Sequence, residues 1–203
     1  MSTPPEVVLV RHGETEWSRT GRHTGRTDVP LTEQGRRDAE AVGVALRGRR
    51  FALVLTSPLA RAAETCRLAG LADLAERRDE LMEWDYGAYE GRKTAEIRKE
   101  RPGWTLWRDG VPDGETVAQV TARADSVIAE LRSARGDAAV FGHGHLLRVL
   151  AARWLGLEPA AGALFALDPA TISILGYERE TPVLRGWNLV ASSTLEGSRA
   201  TTP

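Results

Sequence analysis

The chain has 203 residues, 42% of them hydrophobic, with 27 Lys and Arg against 28 Asp and Glu for a formal net charge of −1. That length suffices for one sizeable buried core, and the balanced charge supplies no global field for nucleic acid or an acidic membrane surface. A small-molecule partner is therefore expected, with no nucleic acid and no membrane. Cys66 is the only cysteine, so no internal disulfide can form and an oxidising compartment gains no support. The first six residues lack the charged and apolar stretches of a secretory leader, and no apolar run approaches the roughly 20 residues of a membrane span. A cytoplasmic protein is expected, and a homodimer is compatible with the sequence.

Val7-Val8-Leu9-Val10 reads as a strand buried on both faces, the kind found in parallel sheets covered by helices. Arg11-His12-Gly13-Glu14-Thr15 follows it, and in open α/β sheets the residues after such a strand line a crevice at the carboxyl ends. The loop 13–31 is long for a compact domain, which favours a functional role. Its Arg19, Arg22 and Arg26, interspersed with Thr and Gly, are the donors an oxyanion site uses. Thr32 reads as the cap of a helix to about Arg49, with Ala39, Val42 and Leu46 on its apolar stripe. Phe51–Thr56 is a second buried strand. Ser57-Pro58 opens a second helix with proline early in it, which places Arg61 in the first turn and aims it at the crevice of His12.

A third strand precedes residues 79–91, where Asp79, Glu80, Glu83, Asp85 and Glu90 mix with three aromatics. Residues 93–110 read as short helices around Trp104 and Trp107, packing for a small cap over about residues 84–113; a sugar-binding wall is the other reading of those tryptophans. Gly114-Glu115-Thr116 leads into the clearest helix, to about Ala134, with Val117, Val120, Ala124, Val127, Ile128 and Leu131 on the buried side. A fourth strand, 138–142, runs into His143, and a helix over 145–156 follows. Strands at Thr171–Tyr177 and Val183–Val190 complete one domain over residues 1–203, while 1–5 and 192–203, rich in Ser, Thr, Pro and Gly, read as frayed ends.

The fourth strand echoes the first. Both are apolar runs feeding a His-Gly pair, and the chain has only four histidines. If the two strands are parallel neighbours, His12 and His143 face one crevice. A phosphate monoester bound there needs donors for its oxygens, a nucleophile in line with the leaving oxygen, and an acid to protonate that oxygen. Arg11, Arg61 and a protonated His143 supply the donors, and His12 the nucleophile, because nearby arginines disfavour its protonated form. Glu83, following Leu81-Met82 at an element end, is the chosen acid, with Glu80, Asp85 and Glu90 left as rivals. An acid poised beside a dianion holds its proton longer and can afterwards serve as base for water.

Taken in order, Arg11-His12-Gly13-Glu14-Thr15, Thr24-Gly25, Ser57-Pro58-Leu59-Ala60-Arg61, Glu83-Trp84-Asp85-Tyr86-Gly87 and His143-Gly144 resemble the blocks of the histidine phosphatase superfamily, phosphoglycerate-mutase-like branch. The resemblance spans about residues 7 to 190. It implies a three-layer α/β/α fold around a mostly parallel sheet, with His12 phosphorylated, Arg11, Arg61 and His143 holding the phosphate, and Glu83 as proton donor. It further implies Thr24, Gly25, Tyr86, Gly144 and His145 as substrate contacts, and neither cofactor nor metal. Two departures matter. Ser18 stands where the family commonly has Asn, and Trp107-Arg108-Asp109 keeps one of the paired arginines that mutases use on a substrate carboxylate while putting an acid in the second place. An acid there would repel phosphoglycerate, and the mutase insertion before the Gly114 helix is missing.

These departures move the expectation to a phosphatase, similar to the subgroup of sugar-bisphosphatases and broad acid phosphatases, with Arg108 retained as a substrate contact. Phosphoglycerate mutase is the alternative. From other classes, His143 and His145 could be metal ligands of a hydrolase, or the pocket could bind a phosphorylated ligand without turnover.

Overall fold

The computed structural model describes residues 5–191; the residues read as frayed ends lie, Pro5 aside, outside them. The first strand, β1 (Val7–Arg11), has four consecutive buried residues. Val7 and Leu9 belong to one hydrophobic cluster, Val8 and Val10 to a second. Successive side chains of a strand point to opposite faces, so the unbroken apolar run is what a sheet covered on both sides requires.

Each face has its own helices. Helix α1 (Glu16–Thr20) is a short turn inside the 13–31 loop. Helices α2 (Glu33–Ala45) and α3 (Ala60–Leu68) bring Val42 and Cys66 to the cluster of Val8 and Val10. Between and after them run β2 (Leu53–Thr56) and β3 (Ala75–Arg77). On the other face, α4 (Thr94–Glu100), α5 (Leu106–Asp109), α6 (Val117–Ser133) and α7 (Gly144–Trp154) contribute Ile97, Leu106, Val127 and Leu150 to the cluster of Val7 and Leu9. The tryptophans pack there: Trp104 is buried, with Nε1 donating to the Gly110 carbonyl at 2.9 Å, and Trp107 lies edge-on to Trp84. The remaining strands are β4 (Ala138–Gly142), β5 (Thr171–Glu178) and β6 (Thr181–Val190).

The six strands lie in the order β3-β2-β4-β1-β5-β6. β1, β2, β3 and β4 are parallel, and β5 runs antiparallel to both neighbours. The chain leaves β1 through α2 on one face and leaves β4 through α7 on the other. Adjacent strands whose connections depart to opposite faces leave a crevice at their carboxyl ends. The pairing of Arg11 with Gly142 puts His12 and His143 side by side at its floor.

Element ends differ from expectation in places. Helix α2 stops at Ala45 rather than Arg49, ahead of a turn in which Gly48 takes a φ of +84°, a left-handed conformation glycine adopts without a Cβ penalty. Pro58 lies outside α3, whose cap position is Leu59. No helix among the described residues is long and apolar enough to cross a membrane.

Candidate active site

His12 is 5% exposed at the end of β1, its N–H donating to the Gly142 carbonyl at 2.9 Å. Its Nδ1 lies 2.7 Å from the Gly13 carbonyl. A carbonyl only accepts, so Nδ1 carries the proton and the lone pair is on Nε2. Burial, then Arg61 and Arg11, push the His12 pKa well below the ordinary imidazole range, against a smaller opposing effect of the Gly13 hydrogen bond. Gly13 is required where it stands: a Cβ there would sit 2.3 Å from the Gly35 carbonyl oxygen, and its N–H donates to Thr65 Oγ1 at 3.0 Å.

His143, fully buried, lies with its ring centroid 5.2 Å from that of His12 and its Nε2 2.8 Å from Ser57 Oγ. Burial, then Arg61, His12 and Arg11, lower its pKa well below the usual range. A bound dianion would oppose the effect of the arginines.

Arg61 is also fully buried. Its Nη1 donates to the Thr27 carbonyl at 2.9 Å and its Nη2 to those of Thr24 and Gly25 at 3.1 and 2.8 Å. Removing a cation from water costs several kcal/mol, about the scale that three carbonyl acceptors offset only in part. Arg11 donates through Nη1 to the Leu167 carbonyl. Three buried side-chain nitrogens around His12 have no partner: Arg11 Nε, Arg61 Nε and His143 Nδ1. Unpaired buried polar groups are rare enough to need an explanation.

Among the rival acids only Glu83 is buried and lines the pocket. Oε1 accepts the N–H groups of Trp84 and Leu146 at 2.9 Å each, and Oε2 that of His145 at 3.0 Å. The carboxylate thus sits on the first turn of α7, where backbone donors and the helix dipole favour an acid. Glu90 is committed elsewhere, accepting the N–H groups of Gly25 and Thr27.

The pocket is lined by Arg11, His12, Ser18, Arg22, His23, Thr24, Glu83, Tyr86, Gly144, His145, Arg148 and Leu167. Tyr86 Oη and His145 Nδ1 are 2.6 Å apart. Burial raises the Tyr86 pKa and lowers that of His145. Ser18 is present, but its hydroxyl accepts the Thr15 N–H and donates to the Thr15 carbonyl, closing the cap of α1. Gly25 serves indirectly, its N–H held by Glu90 and its carbonyl by Arg61.

Arg108 is a correction. It is exposed, paired with the adjacent Asp109 and bonded to the Gly103 carbonyl, and does not line the pocket. Arg108→Ala is expected to leave kcat/KM within about twofold of wild type, as surface changes of about 0.5 kcal/mol do; steady-state kinetics on any turned-over ester checks this. The metal reading also meets different geometry, because His143 faces Ser57 while His145 faces Tyr86.

Sequence reasoning missed His23, Arg148 and Leu167. His23 packs 4.8 Å from the Tyr86 ring and 5.6 Å from Trp104, and burial lowers its pKa to about 4. Arg148 lies over Trp107 at 4.7 Å, its Nε held by the Gly162 carbonyl. The i, i+3 spacing of His145 and Arg148 on one helix face was the available signal; nothing marked Leu167.

A model of the histidine phosphatase superfamily, branch 1, matches residues 7–190. The chain belongs to this superfamily and is a phosphatase. It is 46% identical over 177 residues to an acid phosphatase of Mycobacterium tuberculosis, covering 85% of this chain and 86% of that one. It is 38% identical over 190 residues to a sedoheptulose 1,7-bisphosphatase of Saccharomyces cerevisiae, covering 77% and 69%. Among solved structures, that of open reading frame Rv3214 from M. tuberculosis superposes with a TM-score of 0.87 at 43% identity, covering 92% of this phosphatase and 98% of that chain. The neighbours share the α/β fold described above.

Proposed function

We propose that this phosphatase hydrolyses a small phosphorylated sugar, a mono- or bisphosphate, through a phosphohistidine on His12 with Glu83 as proton donor. The observation that carries this reading is the set of three unpaired buried nitrogens, on Arg11, Arg61 and His143, around an imidazole whose lone pair is on Nε2. A phosphoryl group supplies the acceptors these nitrogens lack, and the guanidiniums oppose the charge on its oxygens as the phosphorus is attacked.

In the first half-reaction Nε2 of His12 forms a bond to phosphorus, the bond to the ester oxygen breaks, and that oxygen takes a proton from Glu83. In the second, Glu83 accepts a proton from water, the water oxygen bonds to phosphorus, and the phosphorus–nitrogen bond breaks. The sum is ester plus water to alcohol plus inorganic phosphate. Sugar phosphates are favoured by the outer wall of hydroxyl-matching groups, Thr24, Tyr86 and His145 with Arg22 and Arg148, and by the relatives named as acid phosphatase and sugar bisphosphatase.

The test is phosphate release from a panel of sugar phosphates, sugar bisphosphates and 3-phosphoglycerate with chelator present, followed by acid-free quenching and mass spectrometry. Release that survives chelation, with one phosphoryl group on the peptide containing His12, is expected. Conversion of 3-phosphoglycerate to its isomer without phosphate release would return the mutase reading.

A further inference from the structure

Beside the pocket lies a sheltered ion pair for which the catalytic steps have no use. Glu115, in the lead into α6, receives Arg123 through Nε and Nη2 at 2.7 Å each, with the two side chains 14% and 17% exposed. Most of their other contacts fall on residues 80–85. Arg123 Nη1 donates to the carbonyls of Glu80 at 2.6 Å and Met82 at 2.9 Å. Glu115 Oε2 accepts the Asp85 N–H at 2.9 Å, the Glu115 carbonyl accepts Trp84 Nε1 at 2.8 Å, and the Glu115 N–H donates to the Asp85 carbonyl at 3.0 Å. The residues before and after Glu83 are therefore clamped by one pair. Arg26, from the loop whose carbonyls hold Arg61, approaches the same carboxylate at 3.4 Å.

Such a pair is a poor source of stability, because desolvation cancels much of the attraction. A two-pronged guanidinium–carboxylate contact does fix direction. We propose that Glu115 and Arg123 are positioning residues for Glu83, fixing the segment 80–85 so that its carboxyl meets the ester oxygen. This rests on Glu83 being the proton donor. Misplacing a reacting group by about 1 Å costs about 10²-fold in rate, so the clamp acts on the proton-transfer step and not on phosphate binding.

The experiment uses Glu115→Gln and Arg123→Lys, each measured for kcat/KM on an alkyl phosphate, whose leaving oxygen needs a proton, and on p-nitrophenyl phosphate, whose leaving group does not. The ratio of the two values on one sample is independent of the fraction that is folded, so a merely structural loss leaves it unmoved. The alkyl-to-aryl ratio is expected to fall by about 10–100-fold in both variants, with no further fall when either change is added to Glu83→Gln. A wild-type ratio in either variant, or a further fall in the Glu83→Gln background, would overturn the proposal. An unchanged ratio in Glu83→Gln alone would overturn the acid assignment itself and this inference with it.

Discussion

His12→Ala is expected to lower kcat/KM for a sugar phosphate by about 10⁴–10⁶-fold, the scale seen when a covalent nucleophile is deleted. The loss is chemical. The His12 N–H that joins β1 to β4 donates to the Gly142 carbonyl from the backbone and survives the substitution, so the sheet keeps its register. Arg11, Arg61 and His143, the groups proposed to hold the phosphate, also remain, so binding is expected to persist. Phosphate release by wild type and variant, beside a thermal melt of each, separates the two effects. A variant that melts like wild type but releases no phosphate fits the mechanism. Undiminished release would exclude a phosphohistidine and return the metal-hydrolase reading.

The second large effect is on Glu83. Glu83→Gln is nearly isosteric, and the remaining carbonyl can still accept from the Trp84 and Leu146 N–H groups that hold Oε1. It can no longer deliver or collect a proton. For an alkyl phosphate kcat/KM is expected to fall by about 10²–10⁴-fold, the usual worth of general acid–base catalysis, while kcat/KM for an aryl ester with a good leaving group stays within a fewfold. Because kcat/KM reports steps up to the first irreversible one, the aryl value is blind to the later attack of water. Equal losses on the two substrates would show that Glu83 serves binding rather than proton transfer.

The centre of the fold was legible because its signals are local. The unbroken apolar runs of β1 and β4 have one solution, a sheet covered on both faces, and the His-Gly pairs after them fall at equivalent ends. Glu83, chosen from five neighbouring acids, is buried and lines the pocket, although the reason it is buried, a seat on the first turn of α7, lies about 60 residues away in the chain and leaves no trace near it. Arg108 shows the opposite failure. Its place after Trp107 suggested a role, yet sequence position carries no direction, and the adjacent Asp109 captured it at the surface. His23 and Arg148 come from separate elements that meet only once the chain is folded. The downward pull on the His143 pKa comes from burial among arginines, a property of the packed structure alone.

His12 hangs from the middle of the sheet, at the end of a strand flanked on both sides by others, whereas the pocket walls come from the 13–31 loop, the connection after β3, the first turns of α7 and the approach to β5. Those two parts of the molecule have unequal freedom to change. A substitution or length change in the walls alters which alcohol fits, at little cost to the phosphorus chemistry below. Any shift of β1 against β4 would reach His12 and His143 together. Diversification of substrate choice in this architecture is therefore a matter of its rim, while the strand order holds His12 and His143 together beneath it.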